Sequence, residues 1–253
     1  MRTEYAAGHG SPAVRRLLEA ELAQARERRS GRPRVVDVGG GSGGWAVPLA
    51  GHDCEVTVVE PNPDARATLR RRAREVGVDE LITVVADDSD ALAAAVPESS
   101  ADLVLAHGLL EVVDDPAAAV RAFAAVTAPG GAVSVLAANR HAAVLQRALA
   151  GRLTEATALL TAPDGVLSGD SETVLRRFDT PGLEMLLGGA GLTVTHMQGD
   201  GVVADVVHQL DAEPDGADAT WERDVTEFED RAAVTPPLRD IASRLHVLAR
   251  RPE

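Results

Sequence analysis

Three features of this 253-residue sequence predict an α/β fold on a largely parallel sheet. Short apolar runs alternate with helix-period segments from Val35 onward. A dense glycine run follows the first of them, and acidic residues close the next two. Strands alternating with helices at this spacing build βαβ units, which place their strands side by side and parallel.

The elements follow in order. From Pro12 to about Arg29 the residues Val14, Leu17, Leu18 and Leu22 recur at helical spacing, with Arg and Glu on the other face. Ser30-Gly31-Arg32-Pro33 ends that helix and launches the strand Val35–Val38. Gly39 to Gly44 forms a turn before a short helix reaching Ala50. A second strand at Glu55–Val59 leads into an Arg-rich helix at Asp64–Val76, and further strands are expected at Ile82–Val85 and Ala101–Ala106. Asp115-Pro116 opens a helix with Asp as N-cap and Pro at the first position, where a missing N–H costs nothing. Ala128 to Gly131 reads as a turn before a strand at Ala132–Ala137. Beyond Asn139, helices are expected over His141–Leu160 and over Pro181–Ala190, the latter capped by Thr180. Strands at Leu192–His196 and Arg244–Ala249 close the pattern, and Asp211–Asp218 reads as a loop. The chain is expected to be one domain. It divides into an N-terminal helical segment (1–33), a ligand-binding core (34–138), a helical lid (139–190), and C-terminal strands with an acidic segment (191–253).

Composition narrows the function classes. The net charge is −14, all 25 basic residues are Arg, and 45% of residues are hydrophobic, as in a globular protein. Cys54 is the sole cysteine, which excludes an intrachain disulfide and a thiolate zinc cluster. The histidines His141, His196, His208 and His246 lack ligand spacing, so no metal is assigned. The first ten residues carry no apolar signal core, and no run approaches the roughly 20 apolar residues of a membrane span. A cytoplasmic protein without membrane contact is expected. Between Asp200 and Asp230 stand eleven acids against Arg223 alone, so the acidity is concentrated in one segment. A polyanion such as tRNA would be repelled there.

The strongest motif is Val35-Val36-Asp37-Val38-Gly39-Gly40-Gly41-Ser42-Gly43-Gly44. A strand feeding a glycine turn and a helix lets a ligand approach backbone N–H groups closely. Gly39, Gly41 and Gly44 satisfy the dinucleotide pattern G-x-G-x-x-G. Asp37, Gly39, Gly41 and Gly43, with Gly40 between them, satisfy D-x-G-x-G-x-G, which resembles motif I of class I methyltransferases using S-adenosylmethionine (SAM). Glu60 ends the second strand 21 residues after Gly39, where an acid takes ribose hydroxyls. It suits NAD or SAM and repels the 2′-phosphate of NADP. Asp87 closes the third strand and resembles the methyltransferase acid that binds the adenine amino group, while Asp88 offers its backbone amide. Asp37 suits the amino end of a bound methionine better than a pyrophosphate. An NAD-dependent oxidoreductase is the competing enzyme class, although the chain has no Lys for a Tyr-x-x-x-Lys pair.

A narrower resemblance lies at Ala106-His107-Gly108-Leu109-Leu110-Glu111-Val112-Val113-Asp114-Asp115-Pro116, at Arg147–Gly151, and at Arg244–Pro252. These stretches resemble the SmtA/CmoM-like group, the tRNA 5-carboxymethoxyuridine methyltransferase-like enzymes. The resemblance implies a Rossmann-like sheet of seven strands, mostly parallel with the last antiparallel, and helices from Asn139 to Ala190 partly lidding the site. It also implies SAM as cofactor, S-adenosylhomocysteine as product, and O-methylation of a modified nucleoside or another small molecule. The chain departs from the family at Gly199-Asp200-Gly201-Val202-Val203, which lacks the basic residue that would face a substrate carboxylate. A SAM-binding protein without catalysis is the remaining alternative.

His107, just past the fourth strand, is the candidate catalytic residue and a candidate cofactor contact. It can act as base, position the acceptor, or pack beneath the cofactor with a ring nitrogen bonded to backbone. Glu111 reads as a helix cap or cofactor contact, Trp45 as core packing or a cover for the cofactor, and Tyr5 and His9 as a frayed terminus or a closing segment. The arginines at 70–72 and 74, and the basic stretch from Ala25 to Arg34, read as solvated surface.

Overall fold

The computed structural model describes residues 11–88, 92–162, 164–166, 176–203 and 219–253. In chain order the elements are α1 (Pro12–Arg28), β1 (Arg34–Val38), α2 (Ala46–Gly51), β2 (Glu55–Val59), α3 (Pro63–Val76), β3 (Ile82–Val85) and α4 (Leu92–Ala95). There follow β4 (Ala101–His107), α5 (Pro116–Val126), β5 (Thr127–Ala138), α6 (Arg140–Leu149), α7 (Leu153–Thr161) and α8 (Thr180–Gly189). The chain closes with β6 (Thr193–Asp200), α9 (Ala219–Ala232) and β7 (Arg244–Arg250). The strands form one sheet in the order β3-β2-β1-β4-β5-β7-β6. All pairs from β3 to β5 are parallel, and β7 runs antiparallel to both β5 and β6. The expected fold class is therefore the observed one.

Strand side chains alternate between two cores. Val36, Val38, Val104, Val133, Val135 and Val247 pack against Val120, Phe123, Leu183 and Leu187 of α5 and α8. Val35, Val56, Val58, Leu103 and Leu105 pack on the opposite face against Val14, Leu18 and Leu22 of α1, Leu49 of α2 and Leu69 of α3. Strands covered on both faces read as continuous apolar runs, which is why β1 and β4 were legible.

Several local expectations change. The 141–160 segment forms two helices, broken at Ala150-Gly151-Arg152, where Gly151 takes φ +76°. Asp179, not Thr180, caps α8: its Oδ1 accepts the Gly182 N–H at 2.8 Å and its Oδ2 pairs with Arg140. Thr180 Oγ1 donates instead to Asp240. α8 lies in the core beneath the sheet, so of the expected lid only the α6–α7 hairpin stands apart from that layer. The expected turn at Ala128–Gly131 is absorbed into β5 as a register break: Thr127 faces Ala101, and Ala132 already faces Leu103. The acidic stretch contains the helix α9, which is not among the expected elements. Replacing Asp179 by Ala removes a cap and an ion pair together, and should cost about 1–3 kcal/mol of stability in a urea titration.

Its acids are partly structural as well. Asp200 is buried, accepts the Ser11 N–H at 2.9 Å and pairs with Arg244 at 2.6 Å. Glu229 accepts the backbone N–H groups of Val202, at 3.0 Å, and Val203. Of the basic residues expected to be surface, Arg26, Arg28, Arg32, Arg34, Arg70, Arg71 and Arg74 are exposed, whereas Arg29 and Arg72 are partly buried and engaged. Arg29 pairs with the buried Asp102 at 2.7 Å, and Arg72 reaches the Ser42 carbonyl at 3.1 Å. Among the described residues, no helix is long and apolar enough to cross a membrane. The expected loop at Asp211–Asp218, along with Tyr5, His9 and His208, lies outside the described residues.

Candidate functional site

In an open parallel sheet, ligands bind beyond the carboxyl ends of the strands, where strand order reverses. Here that point lies between β1 and β4, because β2 and β3 continue to one side and β5 to the other. The glycine turn leaves β1 at this point, and His107 ends β4 beside it.

Two buried carboxylates stand at the turn. Glu60 is buried; its Oε2 accepts the Gly41 N–H at 2.9 Å and its Oε1 accepts the Asn62 N–H at 2.8 Å. Each oxygen keeps a further lone pair for hydroxyl donors. Asp37, 2% exposed on β1, has one carboxylate oxygen, Oδ2, buried without a partner among the described residues. Burial, and then the charge of Glu60, push its carboxyl up to about 7. A cationic group arriving here would relieve both causes at once.

The backbone provides the space. Gly39, Gly41 and Gly43 take φ of +71°, +55° and +82°. A Cβ on Gly40 would stand 2.5 Å from Asp37 Oδ2 and 2.8 Å from a Val58 methyl, so only glycine lets the turn fold down onto the carboxylate. A Cβ on Gly41 would meet nothing nearer than the Gly39 carbonyl at 4.0 Å, and projects into open space. An orphaned buried carboxylate oxygen, an open cradle above glycine and a second carboxylate at the next strand end fit a SAM molecule, which carries a cationic amino acid end and ribose hydroxyls. The same fit applies to its product, S-adenosylhomocysteine, through the ammonium and ribose.

The remaining candidates are less closely gathered. Asp87 and Asp88 lie exposed past β3, and Asp87 Oδ1 accepts the Asp88 N–H at 2.9 Å. His107 is buried with its Nε2 2.8 Å from Ser134 Oγ, a side-chain partner where a backbone one was expected. Burial holds its imidazole well below the usual range, reinforced by His246 and Arg244. Trp45 is core, its ring edge-on to His107 with centroids 5.3 Å apart. Glu111 caps no helix, since Asp115 caps α5; its Oε1 accepts the Ala138 N–H at the end of β5, at 2.7 Å. Burial raises the Glu111 carboxyl. Ser134 and His246 adjoin His107, and Gln198 adjoins His246; the sequence gives none of the three a role beside His107, because they come from strands far apart in the chain. Among the described residues, no group of His, Cys, Asp and Glu could hold a metal ion.

The methyltransferase-domain family matches residues 12–197. Over 222 residues the chain is 24% identical to tRNA 5-carboxymethoxyuridine methyltransferase of Escherichia coli K12, covering 87% of this chain and 80% of that protein. It is 34% identical over 122 residues to ubiquinone biosynthesis O-methyltransferase of Methylocella silvestris, covering 46% and 45%. A solved SAM-dependent methyltransferase from Methanosarcina mazei superposes with a TM-score of 0.58 at 15% identity, covering 90% of this chain and 96% of that one. With the strand order and the braced glycine turn, these matches displace the NAD-dependent alternative, and SAM is the cofactor. The chain belongs to the class I SAM-dependent methyltransferases.

Proposed function

We propose that this enzyme methylates an oxygen atom of a small molecule or a modified nucleoside. The observation that carries the reading is the pair of buried carboxylates, Glu60 bonded to the Gly41 N–H and Asp37 with an unpartnered oxygen beside Gly40, at the point where strand order reverses. The choice of oxygen is supported by two relatives, one named for a carboxymethoxyuridine and the other for an O-methyltransferase. On this reading Asp37 takes the ammonium of the cofactor, and Gly39, Gly40, Gly41 and Gly43 admit it against the backbone. Glu60 takes the ribose hydroxyls, Asp87 the adenine amino group, and Asp88 presents its amide. His107 faces the methyl acceptor from the end of β4.

SAM, when bound, supplies an activated methyl group on a sulfonium whose leaving group is a neutral thioether. The chain's contribution is orientation and exclusion of water, which for an in-line displacement supplies most of the rate. The α6–α7 hairpin serves as the lid of a single 1–253 unit. Exposed acids on α9 (Glu222, Asp224, Glu227 and Asp230) disfavour bulk tRNA as partner against a small acceptor. A cytoplasmic setting accords with a sole, buried thiol at Cys54.

Methyl-labelled SAM offered to small carboxylic acids, phenols, amines and bulk tRNA tests this reading. Label is expected in a carboxylic acid or phenol. Label confined to amines would overturn the oxygen assignment, and cofactor binding without any transfer would favour a non-catalytic binder.

A further inference from the structure

A row of polar side chains crosses one face of the sheet from β4 to β6. Ser134 Oγ on β5 lies 2.8 Å from His107 Nε2 on β4 and 2.8 Å from His246 Nε2 on β7. On β6, Gln198 Nε2 lies 3.2 Å from His246 Nδ1, and Gln198 Oε1 lies 3.3 Å from His196 Nε2. The first four residues are buried, and His196 is half-buried at the far end.

The direction of every bond in the row follows from the orientation of one group, the Gln198 amide, whose Nε2 stands toward His246 and whose Oε1 stands toward His196. An amide nitrogen donates and cannot accept, so Gln198 Nε2 requires a bare lone pair on His246 Nδ1. A neutral His246 then carries its proton on Nε2 and donates it to Ser134 Oγ. The single hydroxyl proton of Ser134 turns to His107 Nε2, which must be bare. A neutral His107 therefore carries its proton on Nδ1. At the other end, Gln198 Oε1 accepts from His196 Nε2.

Both buried rings are held neutral. Burial lowers His246 to about 4; the Asp200 carboxylate opposes this, and His196 reinforces it. For His107, burial acts in the same sense as its two facing groups, His246 and Arg244. His107 Nδ1 is itself buried without a partner among the described residues.

We propose that His107 is a hydrogen-bond donor fixed in its Nδ1–H form by the chain Ser134–His246–Gln198–His196, and that its partner is an oxyanion of the methyl acceptor. This rests on the placement of His107 at the acceptor in the preceding section. A buried donor without an acceptor is destabilising, and an incoming oxygen lone pair relieves it. An acceptor presenting its own N–H or O–H at that point would set donor against donor. The acceptor oxygen therefore turns a lone pair to that N–H, and a carboxylate, which is ionised near neutral pH and carries no proton of its own, does so without a base. Ser134, His246 and Gln198 are positioning residues that act through His107.

Ring-nitrogen NMR of the histidine-labelled full chain tests the assignment without turnover. The expected spectrum shows His107 protonated on Nδ1 and His246 on Nε2, both neutral from about pH 5 to about pH 8. Ser134→Ala should release His107 into a mixture of both ring forms, and Ser134→Thr should restore the single form. The wild-type spectrum decides the matter even if Ser134→Ala fails to fold. A His107 proton on Nε2, or a charged ring near pH 7, overturns the proposal. With S-adenosylhomocysteine bound, benzoate should move the His107 Nδ1–H signal, and benzylamine should leave it in place. A signal that moves with S-adenosylhomocysteine alone, ignores benzoate, or answers benzylamine equally overturns the oxyanion partner. Failure of the labelling assay would leave the ring spectrum as it is, so the two failures are separable.

Discussion

Replacing Asp37 by Asn is expected to weaken SAM binding by about 10- to 100-fold while making the free protein more stable at pH 8. Both effects come from the same buried carboxyl. The loss of affinity is that of one charge-assisted contact, about 1.5–3 kcal/mol. The stability gain follows from linkage. In the folded chain the Asp37 carboxyl is raised to about 7, against about 3.9 in an unfolded chain. Between these values the folded state holds the extra proton, so stability falls as pH rises from about 4 to about 7. An amide at this position removes that loss, and a gain on the order of 2–4 kcal/mol is expected at pH 8 and little at pH 4. Wild-type affinity for SAM should also drop about tenfold from pH 8 to pH 6, because binding a cation here requires the ionised carboxylate. Calorimetry in buffers of different ionisation enthalpy would register the released proton. A pH-independent affinity with no proton release would remove Asp37 from the cofactor site.

Substituting Gly41 is expected to separate backbone strain from lost space. Ala and Leu at this position meet the same left-handed backbone, φ +55°, and should each cost about 1–2 kcal/mol of stability. Their Cβ atoms point into open space, so the fold tolerates either one. If the cofactor fills that space, Leu removes SAM binding altogether and Ala weakens it modestly, at nearly equal melting temperatures. Gly40→Ala should behave differently. Its Cβ collides with Asp37 and Val58, so stability falls by about 1–3 kcal/mol together with affinity. Equal affinities for the Ala and Leu variants at position 41 would place the cofactor elsewhere.

Legibility in the sequence followed the range of the interactions involved. The turn Gly39–Gly44, the cap at Asp115 and the apolar runs of β1, β2 and β4 depend on neighbours a few residues away, and they were found where expected. The sequence groups α8 with α6 and α7 because all three share the same helical periodicity. Only packing shows that Leu183 and Leu187 belong to the core. The helix-cap reading of Glu111 fails for a related reason: its partner, the Ala138 N–H, lies 27 residues on. Composition shows the acidic segment only as a concentration of charge, yet Asp200 and Glu229 carry backbone and ion-pair contacts that composition does not reveal.

The sequence by itself determined the sheet, the glycine turn and the placing of acids at or near the ends of β1, β2 and β3. Those features are written in local periodicity and in turn residues that admit few alternatives. Tertiary structure alone decided the surroundings of His107. Ser134 and His246 reach it across strand registers that join residues 27 and 112 positions apart, and such pairings leave no local pattern. That row turns a histidine that the sequence offers as base, as positioning group or as packing beneath the cofactor into a neutral ring whose proton is assigned by its neighbours.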